Sequence, residues 1–196
     1  MKNRVITISR EFGSGGRTIG KKVAEKLGIP CYDAEIIQEM AKETGFAPDY
    51  VKEAGEYAPG SFLSSAFSNR MFGPTNEDIL WEHQYKVITD LAAKGPCVIV
   101  GRCADFVLRD EELRLLRVFV RAPIEKRVER KMELEKLSRE KAAHLVRKMD
   151  KQRRKYYETY TGEKWGDPTG YDMCIDTGTT AFEDAVEAIC VRYREM

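Results

Sequence analysis

Apolar residues along this chain gather in short β-branched runs separated by longer stretches of helical period. Val5-Ile6-Thr7-Ile8 has no polar alternation beyond its threonine, so residues 4–8 read as a strand covered on both faces. Ile19, Val23, Ala24 and Leu27 then share a helical face over 17–27, closed by Gly28 and Pro30. Cys31-Tyr32-Asp33 reads as a short second strand ending in an aspartate. A helix over 34–44 follows, carrying Ile36, Ile37, Met40 and Ala41 and stopped by Gly45. Residues 46–76, with Pro48, Pro59, Gly60, Gly73 and Pro74 among scattered aromatics, read as short helices and loops. Phe62, Leu63, Phe67, Met71 and Phe72 in that stretch need burial or a ligand.

A long helix over 77–94 places Ile79, Leu80, His83, Val87, Ile88 and Leu91 on one side and ends at Gly95-Pro96. Cys97–Val100 is the plainest central strand, with Gly101-Arg102 at its end, and Leu115–Val120 is another. Pro123 opens a helix to about 137, at the position where proline is tolerated. Ser138 caps a further helix to about Tyr157, with Ala142, Leu145, Val146 and Met149 on its apolar side. A Gly/Pro loop holding Trp165 leads into a last strand, Tyr171–Asp176, and Thr180 with Glu183 forms a capping box for a helix over 181–194. Strands thus alternate with helices, roughly five of each, which predicts a three-layer α/β/α fold around a parallel five-stranded sheet. Ligands of such sheets gather at the carboxyl ends of the strands, here Ser9–Thr18, Asp33, Gly101–Asp105 and Arg121.

Composition narrows the class without naming a ligand. The 196 residues, 42% hydrophobic and 33% charged, fit one ordinary globular domain. A net charge of +1 gives no whole-chain field toward nucleic acid or membranes. Charge is concentrated, however: residues 121–155 hold 14 Lys/Arg against 6 Asp/Glu. That excess suits a polyanionic ligand, or equally a solvated helical face laced with ion pairs. Five cysteines, an odd number without C-x-x-C spacing, read as small buried hydrophobes in a reducing compartment. No apolar run approaches the roughly 20 residues of a membrane span, and the chain enters a strand at once, so a cytoplasmic location is expected. His83 and His144 have no carboxylate or cysteine at ligand spacing, which argues against a metal role.

The chemistry begins where the first strand passes into Glu11-Phe12-Gly13-Ser14-Gly15-Gly16-Arg17-Thr18. A buried strand, a loop whose backbone can approach an anion and a helix N-terminus together make a phosphate cradle. The loop departs from the G-x-x-x-x-G-K-[ST] pattern, with Glu11 in place of the first glycine and Arg17 in place of the lysine. Arg17 is the first candidate for the missing lysine, as a planar fork; Lys21 and Lys22, further into the helix, come second.

Taken in order, Ser9-Arg-Glu-Phe-Gly-Ser-Gly-Gly-Arg17, Leu27-Gly-Ile-Pro-Cys-Tyr-Asp33, Val100-Gly101-Arg102, Asp150-x-x-Arg153-x-x-Tyr156-Tyr157 and Tyr171-Asp172 resemble the cytidylate kinase-like proteins. These are a branch of the P-loop nucleoside monophosphate kinases, and the resemblance runs from residue 4 to about 190. It implies a single P-loop kinase domain over 1–196, an acceptor-binding insert at about 38–95 and a helical lid at about 138–170. It further implies Mg²⁺-dependent transfer from ATP to CMP, dCMP or a related monophosphate. Gly13, Ser14, Gly15, Gly16, Arg17 and Thr18 would then hold the donor phosphates, with Thr18 also on Mg²⁺. Asp33, Arg102, Asp105, Asp150 and Arg153 would serve the acceptor, and Arg17, Arg147 and Arg153 the transferring group. Asp33 can equally cap the helix over 34–44, and Trp165, Tyr156 and Tyr157 can anchor the fold rather than stack on a base. Cytidylate kinases follow the Gly-Arg step with Asp at once; here Cys103 follows and Asp105 comes two places later, so the acceptor base stays open. The expected partners are a nucleoside triphosphate and a nucleoside monophosphate, with no nucleic acid polymer and no membrane; the sequence fixes no oligomeric state. Two alternatives stand beside this reading: a kinase for another phosphorylated small molecule, and a nucleotide-binding module whose degenerate loop supports little catalysis.

Overall fold

A computed structural model describes residues 2–49, 51 and 75–196. Phe62, Leu63, Phe67, Met71 and Phe72, expected to need burial or a ligand, lie outside the described residues. Five strands form one sheet: β1 (Arg4–Arg10), β2 (Cys31–Tyr32), β3 (Cys97–Val100), β4 (Arg114–Arg121) and β5 (Met173–Asp176). Their order is β2-β3-β1-β4-β5, and each pairing is parallel, with Ile8 opposite Val100 on one side and Val118 on the other. Between the strands run α1 (Gly16–Leu27), α2 (Ala34–Thr44), α3 (Asn76–Ala93), α4 (Ala104–Val107), α5 (Ile124–Glu135), α6 (Arg139–Thr161) and α7 (Phe182–Arg194).

Alternation along β1 divides the core between the two faces of the sheet. Ile6 and Ile8 pack with Ile19 and Val23 of α1 and Ile189 of α7, while Val5 joins Met40 of α2 and Leu80, Val87 and Ile88 of α3 on the opposite face. A third cluster is mainly aromatic: Phe119, Tyr156, Tyr157, Trp165 and Tyr171, with Cys103, bind the carboxyl half of α6 to β4. The three-layer parallel fold expected from the sequence is therefore the one present. Because β1 connects toward β2 and β3 toward β4, the connections diverge at the β1–β3 boundary, and a crevice opens beyond the carboxyl ends of those strands.

Several local readings change. Thr180 does not cap the last helix: its N–H and that of Thr179 both donate to the Asp176 carbonyl, closing a turn after β5, so the N-cap falls on Ala181 with no side-chain capping bond. The last strand starts at Met173, because Pro168–Gly170 forms a 3₁₀ turn and Tyr171 is drawn into the aromatic cluster. The α6 helix runs four residues beyond Tyr157, and α4 is an addition. His83 does not join the apolar side of α3: it faces Glu43, Nδ1 to Oε2 at 3.1 Å, and Gln84 is buried instead. Cys97, Cys103 and Cys190 are buried, Cys31 partly so, and Cys174 is exposed.

Candidate active site

The loop leaving β1 is held by its own backbone and by its neighbours. Gly13 and Gly15 take positive φ values of 83° and 89°, and a Cβ on Gly15 would lie 2.3 Å from the Phe182 ring. Ser14 is buried; its hydroxyl donates to the Glu11 carbonyl at 2.9 Å, and the Thr177 hydroxyl donates to the Ser14 carbonyl at 2.7 Å. The first-turn N–H groups of α1, which a helix leaves unsatisfied, therefore sit at a fixed opening suited to an anion. Arg17 and Thr18 occupy that first turn and are exposed. The Arg17 guanidinium is ion-paired with Asp33, and the Thr18 hydroxyl accepts from Arg130 at 3.3 Å. Asp33 holds the N-cap position of α2 but makes no side-chain capping bond there; its carboxylate turns to Arg17.

A small cleft lies beside the loop, beyond β1 and β3. Arg10, Arg102 and Arg153 line it together with Tyr156, Tyr157 and Trp165, and no carboxylate lines it among the described residues. The Arg10 guanidinium lies against the backbone of Gly101, where an added Cβ would push it aside; the φ of +76° at Gly101 is what favours glycine there. Arg153 donates to the Arg10 carbonyl at 3.3 Å. Arg102 and Cys103 hold left-handed conformations, φ 58° and 53°, in the turn from β3 into α4. Such turns cost about 1–3 kcal/mol per residue and persist where surroundings enforce them. Here the buried Gln84 amide donates to the Arg102 carbonyl at 3.0 Å and accepts from the Tyr156 hydroxyl at 3.4 Å. Nη1 of Arg102 is buried with no hydrogen-bond partner among the described residues.

Behind the cleft, Asp105 is 4% exposed and accepts from the Ser9 hydroxyl at 3.0 Å and the Tyr157 hydroxyl at 2.9 Å. Burial pushes its pKa above the usual carboxylate value, against the opposing pull of those two hydrogen bonds. Asp105 thus stands behind two cleft-lining side chains rather than in the cleft. Asp150 also lies apart: Oδ1 accepts from the Phe12 N–H at 2.8 Å, and the carboxylate is ion-paired with Arg127, a residue 6% exposed. Arg147 is exposed on α6 and does not line the cleft. The structure therefore groups the expected residues into a loop set (Gly13–Thr18 with Asp33) and a cleft set (Arg102 and Arg153).

Comparison with known proteins places this geometry in a family. The profile of the cytidylate kinase-like family matches residues 5–179. The chain belongs to that family. Cytidylate kinase from Pyrococcus horikoshii is 30% identical over 174 residues, covering 88% of this chain and 79% of the relative. Cytidylate kinase from Methanopyrus kandleri is 28% identical over 181 residues, covering 88% and 84%. Among solved structures, an uncharacterized protein from Eubacterium ventriosum aligns with TM-score 0.75 at 29% identity, over 98% of this chain and 99% of that one. A gluconokinase from Sinorhizobium meliloti aligns with TM-score 0.57 at 15% identity, over 98% and 93%, a likeness of fold alone. This cytidylate kinase-like chain is a kinase, a phosphotransferase of the P-loop fold. No helix among the described residues is long and apolar enough to cross a membrane.

Three contributors were given no role in the sequence reading. Arg10 had a sequence signal, a charge closing a buried strand at the ligand edge, but its neighbour Gly101 is remote in sequence. Gln84 was hidden by its polarity within an apolar helical face. Arg127 carried no signal distinguishing it from the other basic residues of 121–155.

Proposed function

We propose that the chain transfers a phosphoryl group from Mg-ATP to CMP, dCMP or a related nucleoside monophosphate bound in the three-arginine cleft. The observation that carries this reading is the cleft's lining: three arginines and no carboxylate among the described residues, with a buried Arg102 nitrogen that has no hydrogen-bond partner among them. A buried donor left unsatisfied costs about 1–3 kcal/mol, so a phosphate that supplies the missing acceptor is favoured there. Arg102 and Arg153 would bind the acceptor phosphate, with Arg10 as a third fork beside them. Tyr156, Tyr157 and Trp165 would border the acceptor's body, although Trp165, edge-on to Phe119 at 5.6 Å, is chiefly a loop anchor.

The acceptor phosphate is already ionised at neutral pH, so attack needs positioning and charge neutralisation rather than a general base. Backbone donors of Gly13, Ser14, Gly15 and Gly16 would hold the donor β-phosphate. Arg17 would exchange Asp33 for a phosphate oxygen, taking the place of the loop lysine. Thr18 offers a hydroxyl, and Asp33, ion-paired with the adjacent Arg17, a carboxylate; oxygen donors of this kind suit Mg²⁺, an ion held by one or two side chains together with phosphates and water. Mg²⁺ would be held through Thr18 and supply charge neutralisation between the phosphates. Arg147 and Arg153 would approach the transferring group from α6.

The Arg17–Asp33 pair favours a second reading, a nucleotide-binding module in which the loop guanidinium stays engaged and transfer is slow. Coupled ADP release with Mg-ATP and a panel of CMP, dCMP, UMP, AMP and non-nucleotide phosphate esters separates the readings. Turnover selective for CMP or dCMP supports the proposal, turnover with another ester moves the acceptor class, and ATP binding without turnover supports the binding module.

A further inference from the structure

The first glycine of the usual phosphate loop is replaced here by Glu11, and the structure gives that substitution a partner network. Glu11 Oε2 accepts from the Ala122 N–H at 3.0 Å and lies 3.4 Å from Nε of Arg127. Arg127, rooted in the first turn of α5, donates through Nε to the Ala122 carbonyl at 2.8 Å and through Nη1 to the Phe12 carbonyl at 3.2 Å. The same Nη1 pairs with Asp150 of α6, whose other oxygen accepts from the Phe12 N–H at 2.8 Å. Arg127 also fills the space beside Gly13, where an added Cβ would lie 3.0 Å from its carbonyl oxygen. The N–H and C=O of Phe12, and the side chain of Glu11, are thus all fixed by groups from α5 and α6.

We propose that Glu11, Arg127 and Asp150 are positioning residues for the donor-phosphate loop, and that through them α6 sets the shape of the loop. The inference rests on the reading of Gly13–Thr18 as the donor-phosphate site. A glycine at the first loop position leaves the mouth free to bend; a glutamate tethered to a buried guanidinium removes that freedom, and Asp150 closes the tether from the α6 side. Asp150 consequently serves the donor nucleotide, although the family resemblance assigns it to the acceptor. It acts through the Phe12 peptide and not by touching either substrate.

The test is calorimetric titration of the intact wild-type chain, Asp150→Ala, Asp150→Asn and Glu11→Gly with Mg-ATP, with the Phe12 amide followed by ¹H–¹⁵N NMR in the same proteins. Asp150 is partly exposed, so its variants are chosen over changes at the buried Arg127. The expected result is a Kd for Mg-ATP raised at least ~10-fold in Asp150→Ala and Glu11→Gly, with partial rescue in Asp150→Asn, which keeps an oxygen for the Phe12 N–H. The Phe12 amide should shift upfield and exchange faster in Asp150→Ala. Wild-type affinity for Mg-ATP in Asp150→Ala, or an unmoved Phe12 amide, overturns the inference while leaving the donor site intact. A raised KM for CMP with unchanged Mg-ATP affinity also overturns it, returning Asp150 to the acceptor. Absence of Mg-ATP binding by the wild-type chain sinks the loop reading itself, and this inference with it.

Discussion

An arginine at the end of a buried strand is an ordinary residue in an uncommon place, and its consequences are local. Arg10 and Arg102 reach one cleft from β1 and from the turn after β3. Replacing either by alanine should raise the acceptor KM at least ~10-fold, the low end for a lost charge-assisted contact, with Mg-ATP affinity held within about 2-fold. Steady-state kinetics with calorimetry checks the split. Arg17→Ala should instead cut turnover at least ~100-fold, the scale of a lost transition-state contact; wild-type turnover would reject its role as the replacement for lysine. Asp105 adds a dependence on pH. Burial raises its pKa above 3.8, so the folded chain holds this proton more tightly than the unfolded one. Its contribution to stability is fully present below that value and is lost as pH rises through the folded value. The stability of the wild type relative to Asp105→Asn should therefore fall from about pH 4 upward, measured by urea melts at a series of pH values. Glu11, also raised by burial, is common to both proteins and cancels in the difference. At this scale the glycine loop was legible because its meaning is contained in adjacent residues. Arg10 and Arg127 were not, because each draws its role from groups far along the chain.

The elements themselves were legible wherever hydrophobic period and caps agreed. The α1 helix, with Ile19 and Val23 inward and Gly28 left-handed at its end, follows its pattern closely. So does β3, four apolar residues all buried. The failures came where a turn claimed a residue first. Thr180 carries a capping-box sequence, but Asp176 takes its N–H into the turn after β5. No element is read between Gly101-Arg102 and Leu115; Gln84 from α3 holds the Arg102 carbonyl, and a left-handed pair starts α4. Gly101 offers the test at this scale. Gly101→Ala should destabilise the chain by about 1–3 kcal/mol, from the positive φ and from displacing Arg10, and should weaken the acceptor site in parallel. In an Arg10→Ala background the same change should cost less by about 1 kcal/mol, because only the φ penalty remains; equal costs in both backgrounds would deny the Arg10–Gly101 contact.

For the whole molecule, topology does the placing. An order of β2-β3-β1-β4-β5 puts the phosphate loop after the central strand and brings the end of β3 beside it, so a donor site and an anion cleft become neighbours. Alternating strands and helices made that architecture legible, and the motif order made the family legible. The division of labour between loop and cleft was not, since it depends on which charges meet and which are consumed: Asp105 by Ser9 and Tyr157, Asp150 by Phe12 and Arg127. The central claim is that the arginine cleft receives a phosphate that accepts the phosphoryl group of ATP. Its most direct test is the initial rate of ADP release from Mg-ATP with and without CMP, wild type beside Arg102→Ala. The account predicts release that depends on CMP and a KM for CMP at least ~10-fold higher in the variant. Release that no phosphate ester accelerates, or an unchanged KM in Arg102→Ala, would contradict it.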